Sequence, residues 1–258
     1  MLIRPDGKLL AVAGPPPDDG CSDFAVVRLN RDGSVDPGGG SRTDFGKNDA
    51  VPQGCATEDV AYAGALQPNG KLVVAGTSEG RFAVARYLPN GRPDRSFSKD
   101  GRRVSRFMNR RDRRSAANGV AVQRNGRIVL VGSLETRDGF VLALTRYRAD
   151  GSLDESFSND GRQETTSLGP GTDIVLQPDG RLLVSGSSGR DFGLVRYRSN
   201  GRRDSSFSRD GRVTTSFGEG FSGASALALQ ADGRILLGGF YNGPQVDDEA
   251  FALARYLP

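Results

Sequence analysis

The chain has 258 residues with no histidine, no tryptophan, two cysteines and 36 glycines, and its formal charge is +4. The missing imidazole excludes Ser-His-Asp and Cys-His catalysis and histidine-ligated zinc, and two cysteines cannot complete a cysteine-only structural zinc site. No apolar run approaches the ~18 to 20 residues of a membrane span, and +4 spread over this length, with 31 of the 35 cations arginine, makes a weak case for a nucleic-acid partner.

Along the chain one pattern returns five times. It opens at Arg4 to Gly14 and recurs at Gln67 to Gly76, Gln123 to Gly132, Gln177 to Gly186 and Gln230 to Gly239. The turn glycines Gly70, Gly126, Gly180 and Gly233 lie 56, 54 and 53 residues apart, and Gly7 precedes Gly70 by 63. A second block ends in Arg-Tyr: Phe82 to Tyr87, Phe140 to Tyr147, Phe192 to Tyr197 and Phe251 to Tyr256, with Phe24 to Leu29 in the first unit. A third block, Asp-x-Ser-Phe-Ser-x-Asp-Gly, begins at Asp94, Asp154 and Asp204, and the first unit holds only a degraded form from Asp36.

Each unit reads as four short strands. The first ends at the repeated glutamine, and an Asn-Gly or Asp-Gly turn follows, with glycine supplying the positive φ that a hairpin demands. The second is an apolar run such as Lys71 to Ala75, the third is the Phe-to-Tyr block, and the fourth is Arg212 to Phe217 and its counterparts. No segment shows a helical apolar period. Four-strand units of ~50 residues predict an all-β fold, a β-propeller of five four-stranded repeat units with the last lacking its outer strand. A stacked β-solenoid is the alternative. The expectation is a single domain over 1–258, with units of approximately 1–58, 59–114, 115–168, 169–221 and 222–258. Both ends fall inside a unit, so either five units close a ring or the chain is part of a longer protein.

The succession Gln-Pro-Asp-Gly-Arg-Leu-Leu-Val-Ser-Gly, Phe-x-Leu-x-Arg-Tyr and Gly-x-x-Asp-x-Ser-Phe-x-x-Asp-Gly resembles the delta-60 repeat, a predicted β-propeller module of bacterial proteins. The resemblance spans essentially the whole chain in five copies. It departs in unit one, where the Asp-x-Ser-Phe block is lost, and in unit five, which stops at Pro258. It implies a secreted or cell-surface protein and supplies no activity.

The repeated residues read as structural. Arg28, Arg86, Arg146 and Arg196 precede Asp36, Asp94, Asp154 and Asp204 by eight, which predicts an ion pair at each third turn rather than a row of anion sites. The Ser-x-Asp-Gly turns carry too few carboxylates for calcium, so no metal and no cofactor is expected. Function belongs where the units differ. Cys21 and Cys55 fall in non-repeated loops of one face, where a disulfide is expected, two free thiols being the alternative. The ligand or partner candidates are Tyr62 at the start of an inner strand, then Phe221, Phe240, Tyr241, Asn242, Asp247 and Asp248, assigned to loops of the variable face. Capping of the fifth unit is the competing reading for the aromatics. Arg110, Arg111, Arg113 and Arg114 form a basic stretch, either an anionic-partner site or a solvated loop.

The expected function is a non-enzymatic extracellular or cell-surface binding or scaffold module, with a protein or glycan partner. The alternative is a carboxylate-dependent glycoside hydrolase or a lectin-like carbohydrate-binding propeller, for which Asp59 and Asp173 are the acids nearest the inner strands.

Overall fold

The computed structural model describes residues 1–13, 23–43, 59–105, 107, 114–245 and 249–257. Cys21, Cys55, Arg110, Arg111, Arg113, Asp247 and Asp248 lie outside the described residues. The described chain is entirely β, and no helix in it is long and apolar enough to cross a membrane.

Five sheets follow one another in sequence, each a meander in which neighbouring strands are neighbours in the chain. The first holds β1 (Leu2–Ile3), β2 (Leu9–Ala13), β3 (Phe24–Leu29) and β4 (Val35–Thr43). The second holds β5 (Asp59–Leu66), β6 (Leu72–Ser78), β7 (Arg81–Tyr87) and β8 (Arg102–Ser105). The third holds β9 (Ser115–Val122), β10 (Ile128–Thr136), β11 (Gly139–Tyr147) and β12 (Arg162–Thr165). The fourth holds β13 (Gly171–Leu176), β14 (Leu182–Ser188), β15 (Asp191–Tyr197) and β16 (Arg212–Thr215). The fifth has three strands, β17 (Phe221–Leu229), β18 (Ile235–Asn242) and β19 (Glu249–Tyr256). Each sheet therefore coincides with one sequence repeat.

Two compact units divide the chain, Met1–Ile128 with Tyr147–Ser152, and Val129–Arg146 with Leu153–Pro258. In the first, Leu10, Phe24 and Val26 pack on Leu72, Val74 and Tyr87. In the second, Phe192 and Leu194 pack on Leu227, Leu237 and Ala252. The apolar runs of β6 and β14 are buried on both faces, as their uninterrupted Leu and Val content predicts.

The repeated polar residues hold turns. In the first hairpin of each sheet the Asx side chain accepts the N–H two residues on: Asn69 from Lys71 at 3.2 Å, Asp179 from Arg181 at 2.9 Å and Asp232 from Arg234 at 3.0 Å. The following glycine carries the positive φ, +78° at Gly70. In the third turn the predicted ion pairs are present, Nε to Oδ2 at 2.8 Å for Arg28–Asp36, 2.7 Å for Arg86–Asp94, and 2.8 Å for both Arg146–Asp154 and Arg196–Asp204. That turn also docks on the next repeat. In the first compact unit Arg86 Nη1 donates to Ala149 O, and the Ser98 N–H donates to Asp150 O at 2.7 Å. In the second compact unit Arg146 Nη1 donates to Ser199 O, and the Ser158 N–H donates to Asn200 O at 2.8 Å.

Candidate functional site

The first strand of a sheet is where the register breaks. Pairing skips from Ala61 to Ala63 in β5, from Gly171 to Asp173 in β13 and from Ala224 to Ala226 in β17. Tyr62, Thr172 and Ser225 are the extra residues, and each lies five before its repeat glutamine, Gln67, Gln177 or Gln230. A bulge of this kind bends its strand and re-aims a side chain, which is why bulges recur beside active sites. The glycine ending each second-strand motif is required by the same feature. A Cβ on Gly76 would lie 1.9 Å from Val60 O, and one on Gly239 would lie 2.0 Å from Gly223 O.

Asp173 follows the bulged Thr172 directly. Its Oδ1 accepts the Ile174 N–H at 2.7 Å, and its Oδ2 accepts the Leu227 N–H of β17 at 3.0 Å. Burial pushes this carboxyl above the usual carboxylate range, and the two N–H bonds counter only part of that shift. Thr172 Oγ1 meets Ser185 Oγ at 2.9 Å beside it. Asp59, the other inner-strand acid, opens β5 fully buried and is paired in register with Ser78. Among the described residues no group of three or more acidic or sulfur side chains forms a metal cage.

The aromatic candidates come together only in part. Phe221, Phe240, Tyr241 and Asn242 are not loop residues as expected from the sequence; they extend β17 and β18, whose ladder runs out to the pair Phe221↔Asn242. Strand alternation sets Phe221, Phe240 and Asn242 on one face, and β19 adds Phe251 opposite Phe240 and Glu249 opposite Asn242. The Phe221 and Phe240 rings lie 5.8 Å apart at 32°, both partly exposed, and Phe251 is fully exposed. Tyr241 donates its hydroxyl to Glu219 O at 3.2 Å. Tyr62 stands in the other unit, half exposed at its own bulge. Arg114, the described member of the basic stretch, is exposed and lies against Gly80. Sequence reasoning named Asp173 and Tyr62 but not Thr172 or Ser225, because a single inserted residue is invisible in a strand read by alternation.

The fold has solved counterparts. A polysaccharide lyase is similar over 98% of this chain and 56% of its own, at 11% identity and TM-score 0.55. An ulvan lyase bound to a glucuronate–sulfated rhamnose unit matches over 98% and 67%, at 11% identity and TM-score 0.52. A putative exo-β-1,3-galactanase from Bifidobacterium bifidum matches over 98% and 85%, at 11% identity and TM-score 0.51. The chain thus spans a little over half of the first lyase's length. No curated protein sequence matches the chain.

The expectation of a non-enzymatic binding or scaffold module is corrected by these comparisons, since the solved structures that share the fold are mostly carbohydrate-active enzymes. The missing histidine excluded less than that expectation required: it removes imidazole chemistry and leaves carboxylate chemistry untouched. Residues 4–38, 67–97, 123–157 and 177–207, just over half of the sequence, match the profile described as "Domain of unknown function (DUF5122) beta-propeller", and the chain belongs to this β-propeller family.

Proposed function

We propose that the chain is a carbohydrate-active propeller that cleaves a glycan by carboxylate chemistry, and the observation that carries this reading is Asp173. A general acid must hold its proton near the working pH, and burial at the β13 bulge moves the Asp173 carboxyl in that direction. Each of its oxygens accepts one N–H and keeps a second lone pair free to take a proton. As the glycosidic C–O bond breaks, that proton passes to the leaving oxygen, and the carbon it leaves either takes a water hydroxyl, in hydrolysis, or gains a C=C bond as the adjacent C–H proton is lost to a base, in elimination. The carboxylate left behind is stabilised by the Ile174 and Leu227 N–H groups, already aimed at it. The lyases and the galactanase that share the fold support a polysaccharide as the substrate class.

The lectin-like part of this reading rests on Phe221, Phe240 and Phe251, a partly exposed aromatic row flanked by Asn242 and Glu249. Apolar rings beside an amide and a carboxylate suit the C–H face and hydroxyls of a sugar. We assign the repeats to the delta-60 class, as blades of one propeller, and an extracellular or cell-surface location suits a polysaccharide substrate.

Incubation with neutral and uronate polysaccharides, followed by a reducing-end assay and ultraviolet absorbance, tests the proposal. New reducing ends with or without a new C=C bond support it and separate elimination from hydrolysis. Asp173→Asn is expected to lower the rate by ~100-fold or more. Absence of new reducing ends from every polymer, or full activity in Asp173→Asn, overturns it.

A further inference from the structure

The first unit lacks a side chain that the next three share. Three residues after the ion-paired aspartate stand Phe97, Phe157 and Phe207, but the corresponding position in the first unit is Gly39. Each phenylalanine lies under its unit's arginine, with Cζ 4.6 to 4.8 Å from the ring centroid. Phe97 and Phe157 also lie against the next repeat. A Cβ on Gly151 would come 3.1 Å from Phe97 Cδ2, and one on Gly201 would come 2.7 Å from Phe157 Cε2. Gly91 holds the equivalent place after Tyr87 with the same left-handed backbone, φ +86°, yet a Cβ there would meet no described residue within 4 Å.

The space left by the missing ring is a shallow, open recess within the first compact unit. Leu10, Val26, Leu72, Tyr87 and Pro89 line it, and Arg28 stands at its edge. Its walls are mostly apolar, as those of small-molecule sites are. Arg28 is fixed as its counterparts are: Nε and Nη2 hold the Asp36 carboxylate at 2.8 and 3.0 Å, and Nη1 reaches Pro89 O at 3.4 Å. Arg4 also donates to Pro89 O, at 3.0 Å. The flat guanidinium is thereby held ready to stack.

We propose that this recess is a binding site for a small ligand carrying a single aromatic ring, which enters where the other repeats place their own phenylalanine and stacks under Arg28. The ring replaces the apolar contact and the cation–π contact that Phe97 gives Arg86. Arg28 and Arg4 are each paired, with Asp36 and Asp6, so a neutral ring suits the recess. The site is independent of Asp173 and of glycan cleavage, and it stands or falls on its own test.

p-Cresol is the probe. With methyl-labelled protein, its ring current is expected to shift the Leu10, Val26 and Leu72 methyl resonances, and Leu227 and Leu237 are expected to stay put. Gly39→Phe gives the first repeat the phenylalanine that the next three carry and is expected to abolish the shifts. Arg28→Lys keeps the charge on Asp36 but loses the planar stack, and is expected to weaken p-cresol several-fold. Should Gly39→Phe fail to fold, the methyl map and Arg28→Lys decide. No shift at the three residues, equal binding by the Gly39→Phe protein, or unchanged affinity in Arg28→Lys overturns the proposal.

Discussion

Arg86 lies over the ring of Phe97, its Cζ 4.8 Å from the ring centroid, while Nε of the same guanidinium holds Asp94 Oδ2 at 2.7 Å. One side chain thus fastens the third turn, covers a buried aromatic and, through Nη1, reaches the next repeat at Ala149 O. Because Arg86 and Asp94 are both almost fully buried, neither charge tolerates loss of its partner.

The phenylalanine is the apolar half of this fastening. Phe157 is fully buried, so Phe157→Ala is expected to cost about 3 to 5 kcal/mol, the usual range for emptying a phenylalanine site. Denaturant titration reads this as a lower midpoint with an unchanged slope. A loss below about 1 kcal/mol would mean that the turn is held by Arg146–Asp154 alone.

Acid is expected to unfasten the same turns. Burial alone would raise Asp94 and Asp204. Lys71, Ser96 and Arg86 around the first, and Ser206 and Arg196 around the second, outweigh it and hold both below the usual carboxylate range. Lys8 and Arg28 do the same to Asp36. A carboxyl depressed in the folded state contributes stability that is complete above its unfolded pKa, near 3.9, and is lost as pH falls through the folded value. Asp173, raised by burial, acts with the opposite sign. Urea midpoints measured from pH 6 downward should therefore fall only below about pH 4. A midpoint that stays level to about pH 2 would show that these ion pairs add nothing net.

Alkali tests a second repeated link. Tyr87 donates to Thr43 Oγ1 at 2.6 Å, Tyr197 meets Thr165 Oγ1 at 2.6 Å and Tyr256 meets Thr215 Oγ1 at 2.7 Å. Burial pushes the Tyr87 phenol up to about 12 and raises Tyr197 and Tyr256 as well. A raised folded value means stability is complete below the unfolded pKa near 10 and drains away as pH climbs through about 12 for Tyr87. Tyrosinate absorbance from these three should appear only with unfolding. Removing Tyr197 by Tyr197→Phe should delay the loss. Titration of these three near pH 10 in a protein that stays folded contradicts this.

The sequence made the sheets legible because one unit explains another. Gln-x-Asx-Gly marks the first turn, and the eight-residue step from Arg196 to Asp204 marks an ion pair that the fold then closes. The candidate site was less legible because it depends on differences too small to alter a repeat. A single bulged residue turns Thr172 out of register and places Asp173 against the Leu227 N–H of another sheet, a contact that no local pattern encodes. Phe240 looked like loop material because its motif had ended, yet cross-strand pairing with Gly223 and Phe251 carried the strand onward. The loss of Asp-x-Ser-Phe in unit one was plain in the sequence. That it opens a recess followed only once Gly91 could be compared with Gly151 and Gly201.

That comparison gives the sharpest stability prediction. Gly91 and Gly201 share φ +86°, so alanine at either carries the left-handed strain of about 1 to 2 kcal/mol. At Gly201 the new methyl would also lie 2.7 Å from Phe157 Cε2 and Cζ, and displacing a packed ring adds about 1 to 3 kcal/mol. Gly91→Ala has no ring to displace. The two variants should therefore differ in denaturant midpoint, with Gly201→Ala the less stable, although backbone conformation and turn sequence are alike. Introducing Gly39→Phe should then make Gly91→Ala as costly as Gly201→Ala, because it restores the ring that the methyl would strike. If Gly91→Ala already matches Gly201→Ala in the parent protein, the space over Gly91 is filled, and the first repeat is packed like the rest.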